Sequence, residues 1–119
     1  MSAKLTIESE NLFVLNVKGI FTIEESREFE KKAAAEIDGT QKVKALVLAE
    51  EFSGWGKEGD WGDMTFFFEK GPYIEKIAIV ANEKWKDELL MFAGAGLREG
   101  EVKFFPDGGE GDARSWLQS

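Results

Sequence analysis

The sequence predicts a single α/β domain over residues 1–119, with a mainly parallel, five-stranded mixed sheet, an antiparallel N-terminal strand and about four helices. Three observations lead there. The chain of 119 residues is the size of one domain, and 43% hydrophobic content supplies a core. Apolar runs with the short period of strands alternate with longer helical patterns. Repeated β–α units joined by right-handed crossovers require a mainly parallel sheet.

Two strands open the chain. The first holds Leu5 and Ile7 and the second runs from Leu12 to Val17, with the polar turn Glu8-Ser9-Glu10-Asn11 between them. So short a connection favours antiparallel pairing. Gly19 is expected to break the second strand. Thr22-Ile23-Glu24-Glu25 then fits a capping box, in which the Thr22 hydroxyl accepts the Glu25 amide and Glu25 reaches back. The first helix is expected to run to about Ile37, with Ile23, Phe29, Ala33 and Ile37 as its apolar stripe and Asp38-Gly39 as its stop.

Val43 to Ala49 reads as an inner strand, nearly apolar on both sides from Ala45 onward. Glu50 to Asp63 is expected to be irregular, broken by Gly54, Gly56, Gly59 and Gly62. A second helix is predicted from about Asp60, with Trp61, Met64 and Phe68 on one face, stopped by Gly71-Pro72. A strand from Ile74 to Ala81 follows. Asn82 is expected to cap a third helix with Trp85, Leu89 and Phe92 facing the core. Glu101 to Phe105 gives the last strand, ended by Pro106, and Trp116 and Leu117 dock a short final helix.

The inventory of side chains limits the chemistry. There is no histidine and no cysteine. Zinc enzymes with His or Cys ligands, Ser–His–Asp hydrolases, thiol nucleophiles and disulfide scaffolds are excluded. Metal and cofactor motifs are missing as well. The calcium-loop pattern is absent, and neither glycine cluster, Gly54-Trp55-Gly56 or Gly94-Ala95-Gly96, matches a phosphate or dinucleotide loop. Glu50, Glu51, Glu58, Asp60 and Asp63 read as solvated or helix-capping carboxylates. No enzymatic activity, metal or cofactor is expected.

The net charge is −8, and it is spread evenly. Residues 1–60 carry 8 basic and 12 acidic groups, and residues 61–119 carry 7 and 11. This charge opposes phosphate backbones, so nucleic acid is not an expected partner. It also weakens attraction to anionic bilayers. The N-terminal MSAKLTIESE lacks the pattern of a secretory signal, and no run approaches a membrane span. The expected location is the cytoplasm, with peripheral membrane association as its variant.

The order of these pieces resembles the SpoIIAA-like family, a branch of the STAS domain fold related to anti-sigma factor antagonists. The resemblance is carried by the hairpin ending in V-K-G (17–19), the T-x-E-E helix start at Thr22 to Glu25, and the strand Ala45-Leu46-Val47-Leu48. It continues through the Phe52 to Trp61 loop, I-E-K-I-A-I-V (74–80), N-E-K-W (82–85), E-V-K-F-F-P (101–106) and A-R-S-W-L (113–117). It implies a non-catalytic switch or binding module, and a role in membrane association or in binding an apolar ligand.

Two sets of site residues follow. Phe52, Trp55, Trp61, Met64, Phe66 and Phe67 are candidates to face a ligand or membrane. Trp61, Met64 and Phe68 also read as core residues packed against the sheet, and that reading is preferred for these three, but three consecutive phenylalanines on one short helix leave at least one ring needing another cover. That cover is a lipid, an apolar small molecule, a protein partner or a second copy of the chain. Ser53 is the other candidate. The resemblance aligns Glu51-Phe52-Ser53-Gly54-Trp55-Gly56 with a D-S-S-G-L-G-like run whose second serine is phosphorylated. Ser53 and Gly54 match that run, while Glu51, Phe52 and Trp55 depart from it. A turn serine is the alternative reading.

Overall fold

The computed structural model describes residues 2–9, 11–37, 42–56, 71–93 and 101–119. Strands β1 (Ser2–Ser9) and β2 (Leu12–Phe21) form an antiparallel hairpin, followed by helix α1 (Ile23–Glu36) and strand β3 (Val43–Trp55). A 3-10 turn (Gly71–Tyr73) leads into β4 (Ile74–Ala81), and a second one (Glu83–Trp85) leads into α2 (Lys86–Phe92). Strand β5 (Glu101–Phe105) and helix α3 (Glu110–Gln118) complete the described residues.

The sheet has the order β1-β2-β3-β4-β5, antiparallel between β1 and β2 and parallel elsewhere. The parallel strands therefore advance in one direction, and right-handed crossovers put their connecting helices on one face. On that face, Ala33 of α1, its C-cap Ile37 and Leu89 of α2 pack with Leu15, Val17, Phe21 and Ile79. On the opposite face, Ala113 and Leu117 of α3 cover Val14, Leu46, Ala78 and Val80. The described residues contain three α-helices, and the helix expected from Asp60 lies outside them.

Local chemistry fixes the ends. The capping box at α1 forms as read from the sequence, with Thr22 Oγ1 accepting from the Glu25 amide at 3.2 Å and Glu25 Oε1 accepting from the Thr22 amide at 3.0 Å. The other Glu25 oxygen accepts from the Ala3 amide of β1, and Lys32 Nζ donates to the Leu5 carbonyl. Helix α1 thus supplies side chains to the backbone of the outer strand, the kind of cover that keeps a sheet edge from pairing with another chain.

Helix α3 is held at both ends. Lys76 Nζ donates to the carbonyls of Trp116 and Ser119. Arg114 binds both carboxylate oxygens of Glu8 and also reaches Glu110. The hydrogen bond from Arg114 holds the Glu8 carboxyl below the usual carboxylate range, against a smaller opposing effect of desolvation.

Two boundaries differ from the sequence reading. Gly19 does not end β2. It adopts φ +69°, and the β2–β3 register shifts on either side of it, so the strand bends and continues to Phe21. Likewise β3 does not stop at Ala49. It runs on to Trp55, because the tail of β2 gives it a partner as far as Phe21↔Trp55, whereas its pairing with β4 ends at Ala49↔Ala81. The tails of β2 and β3 therefore form a two-stranded ribbon that projects past the end of β4.

Asn82 caps as expected, accepting from the Lys84 amide at 3.0 Å. The turn it starts is 3-10, and α2 takes over at Lys86.

Candidate functional site

The projecting ribbon carries alternating side chains. Glu51 and Ser53 face solvent while Phe52 turns inward, 6% exposed. Gly54 follows at φ +139°, a conformation that side chains rarely adopt. Trp55 then lies half-buried at the strand end. Across the ladder, Phe21 ends β2 and is buried, and the Gly56 amide donates to its carbonyl at 2.8 Å.

Trp85 and Phe92, from the 3-10 turn and α2, complete a group of rings at the C-terminal ends of β2 and β3. Phe52 meets Trp85 with centroids 4.9 Å apart and Trp55 at 5.0 Å, both edge to face. Phe92 meets Trp55 at 5.0 Å and Phe21 at 5.8 Å. Each such pair adds about 0.5–1.5 kcal/mol beyond the area it buries. The Trp55 indole N–H donates to Glu88 Oε1 at 3.0 Å, which ties the ribbon to α2.

Two features of this end are not explained by packing. Ile20 is 49% exposed, although a Cβ placed on Gly54 would lie 3.7 Å from its Cδ1 and 3.7 Å from Trp85 Cη2. Met91 of α2 is 76% exposed. The Ile20 and Trp85 side chains thus both lie close to Gly54, at the rim of the aromatic group. In addition, Trp85 Nε1 is buried without a hydrogen-bond partner, and it is alone in this among the described residues. Such a donor costs about 1–3 kcal/mol relative to a satisfied one. Lys84 Nζ lies 5.5 Å from the centre of the Trp85 ring, over its face.

The candidates from the sequence separate as follows. Phe52 is a core residue, and a buried ring presents nothing to a membrane; strand alternation turns it inward where a loop would have left it free. Trp55 stands at the rim of the aromatic group. Trp61, Met64, Phe66 and Phe67, with Phe68, lie outside the described residues. Ser53 is exposed on β3, in a strand and not in a turn. Its neighbour Glu51 pairs with Lys18 at 3.6 Å on the solvent side. Phe21, Trp85 and Phe92 are members of the group that the sequence did not mark as site residues. Phe21 directly precedes the Thr22 cap, and Trp85 and Phe92 were assigned to the core, so only the tertiary pairing reveals them.

The chemistry available here is that of apolar contact with one buried donor. No group of three or more acidic residues in a metal-binding arrangement occurs among the described residues. No described helix is long and apolar enough to cross a membrane.

Comparison with known proteins agrees with this architecture. The sequence model of a family described as SpoIIAA-like matches residues 12–118. No curated protein matches the chain significantly. Among solved structures, an uncharacterized protein from Shewanella loihica PV-4 with a SpoIIAA-like fold is 20% identical. It superposes with a TM-score of 0.70, covering 98% of this chain and 92% of that one. The anti-sigma factor antagonist SpoIIAA in its unphosphorylated form is 12% identical, with a TM-score of 0.67 over 98% and 96% of the two chains. At these identities the likeness establishes the fold.

Proposed function

Because the chain belongs to the SpoIIAA-like family, we propose that it is a non-enzymatic binding domain of regulatory type whose aromatic end, around Phe52, Trp55 and Trp85, engages an apolar small molecule. The observation that carries this reading is the ring group at the ends of β2 and β3, with exposed Ile20 beside it and the Trp85 indole N–H unpaired. Apolar sites with few polar groups are the usual form of small-molecule pockets. Lack of histidine and cysteine supports a role in binding over one in catalysis. A small molecule is favoured over a bilayer because Phe52 is buried and the net charge is −8.

Native mass spectrometry of gently purified protein tests this reading, because it reports retained apolar molecules and subunit number together. A mass above that of the chain, removed by solvent extraction, is the expected result. Liposome flotation separates the membrane alternative. Lipid-dependent flotation of the protein would move the reading from a small molecule to a bilayer.

A second reading rests on Ser53. It is exposed on β3 beside the Lys18–Glu51 pair, and a Cβ on Gly19 would lie 4.0 Å from its hydroxyl. A phosphate there would compete with Glu51 for Lys18 and change the charge of the ribbon. Intact-mass measurement of protein from its native host, across growth conditions, tests for the phosphorylated form. Its consistent absence argues against this switch.

A further inference from the structure

We propose that β5 is a self-association edge, which pairs antiparallel with β5 of a second copy of the chain across a two-fold axis at Val102. The proposal is independent of the ligand reading, because it uses none of the rings at the ends of β2 and β3. The two edges of the sheet, β1 and β5, are finished differently. At β1, the Ala3 amide and the Leu5 carbonyl are held by Glu25 and Lys32 of α1. At β5, the ladder with β4 is the only backbone pairing of Glu101–Phe105 among the described residues. Alternate residues of an edge strand turn their N–H and C=O groups outward, and such groups are a template for a further strand.

The side chains of β5 select a second copy as that strand, and they select its register. Glu101 and Lys103 are exposed on one face, and half-buried Val102 and Phe104 lie on the other. A two-fold axis at Val102 sets Glu101 of each copy opposite Lys103 of the other, so two opposite-charge pairs form. On the other face Val102 meets its own copy. Outward backbone groups must face outward groups, so a two-fold pairing is centred on a residue and not between residues. An axis at Glu101 or at Lys103 opposes like charges. An axis at Phe104 or Phe105 sets Pro106, which has no N–H, against the strand. Lysine on an edge strand ordinarily discourages pairing, but here each one meets a glutamate. A strand of 5 residues buries little surface, so the association is weak and concentration-dependent.

Sedimentation velocity at physiological salt, which screens the net charge of −8, tests this at concentrations rising to about 1 mM. Wild type is expected to pass from monomer to dimer over that range. Glu101→Lys and Lys103→Glu each turn both cross-strand pairs into like-charge pairs, and each is expected to weaken the dimer about tenfold. An equimolar mixture of the two variants brings opposite charges together again and is expected to associate like wild type. Circular dichroism checks that both variants fold. Hydrogen exchange of wild type gives a readout that needs no variant: the outward amides of β5 are expected to exchange more slowly as concentration rises. Wild type that stays monomeric at about 1 mM would overturn the proposal. So would folded single variants that dimerise as wild type does, a mixture no tighter than its components, or unchanged β5 exchange in a dimeric wild type. None of these outcomes bears on the apolar-ligand reading.

Discussion

The indole N–H of Trp55 donates to Glu88 Oε1 at 3.0 Å, joining the end of β3 to helix α2 across 33 positions of sequence. The bond is exposed, so its net worth is of order 1 kcal/mol or less. Its use is orientation: it holds the Trp55 ring against Phe52 and Phe92. Glu88→Ala is expected to lower stability by no more than about 1 kcal/mol and to move the Trp55 indole resonance. Glu88→Gln keeps an acceptor and is expected to preserve that resonance more closely. Indole N–H correlation spectra of both variants check this.

Adjacent positions on the ribbon should differ widely. Phe52→Ala removes a buried ring and is expected to cost about 3–5 kcal/mol. Ser53→Ala changes an exposed side chain and should stay within about 0.5 kcal/mol of wild type. Urea unfolding of the two variants measures the contrast. Equal, small effects would place Phe52 outside the core.

Two glycines give opposite expectations. Gly54 holds φ +139°, and Gly54→Ala is expected to destabilise by about 1–3 kcal/mol. Gly111 lies in α3, where an added Cβ meets nothing within 4 Å. Gly111→Ala is therefore expected to stabilise by about 0.4–1 kcal/mol. Thermal unfolding of the two variants in parallel checks the sign of each.

The Glu8–Arg114 pair has a defined pH dependence. Arg114 lowers the folded-state pKa of Glu8 relative to the unfolded chain. Its stabilisation is therefore complete above the unfolded carboxylate range and is lost as pH falls through the folded value. Both side chains are about a third exposed, at 32% and 38%, so the contribution stays below about 1 kcal/mol and weakens with salt. Glu8→Gln should be less stable than wild type at neutral pH and equal to it in strong acid. Urea midpoints at the two pH values report the difference.

What the sequence disclosed follows from how local each signal is. The capping box is written in four consecutive residues, Thr22 to Glu25, and it formed as read. The strands Ile74–Ala81 and Glu101–Phe105 were bounded by polar residues and by Pro106, and they stand where expected. The tail of β3 was not legible in the same way. Glu50-Glu51, Gly54 and Gly56 are loop signals, and only pairing with the bent tail of β2 overrides them. Glycine is a common strand breaker, so Gly19 reads as an end, yet with its left-handed φ it produces a bulge here. The aromatic group was half visible. Phe52 and Trp55 drew attention by composition, but their partners Trp85 and Phe92 come from more than 30 residues away, and single-sequence periodicity carries no information on such a meeting.

Titration with the neutral fluorescent probe N-phenyl-1-naphthylamine tests binding at the aromatic end most directly, with wild type compared to Trp55→Ala and circular dichroism confirming that both are folded. Saturable binding at one site per chain, weakened severalfold in Trp55→Ala, is the expected result. No saturable binding to wild type, or equal binding to a folded Trp55→Ala, would contradict the assignment of this end of the sheet as a site for apolar ligands.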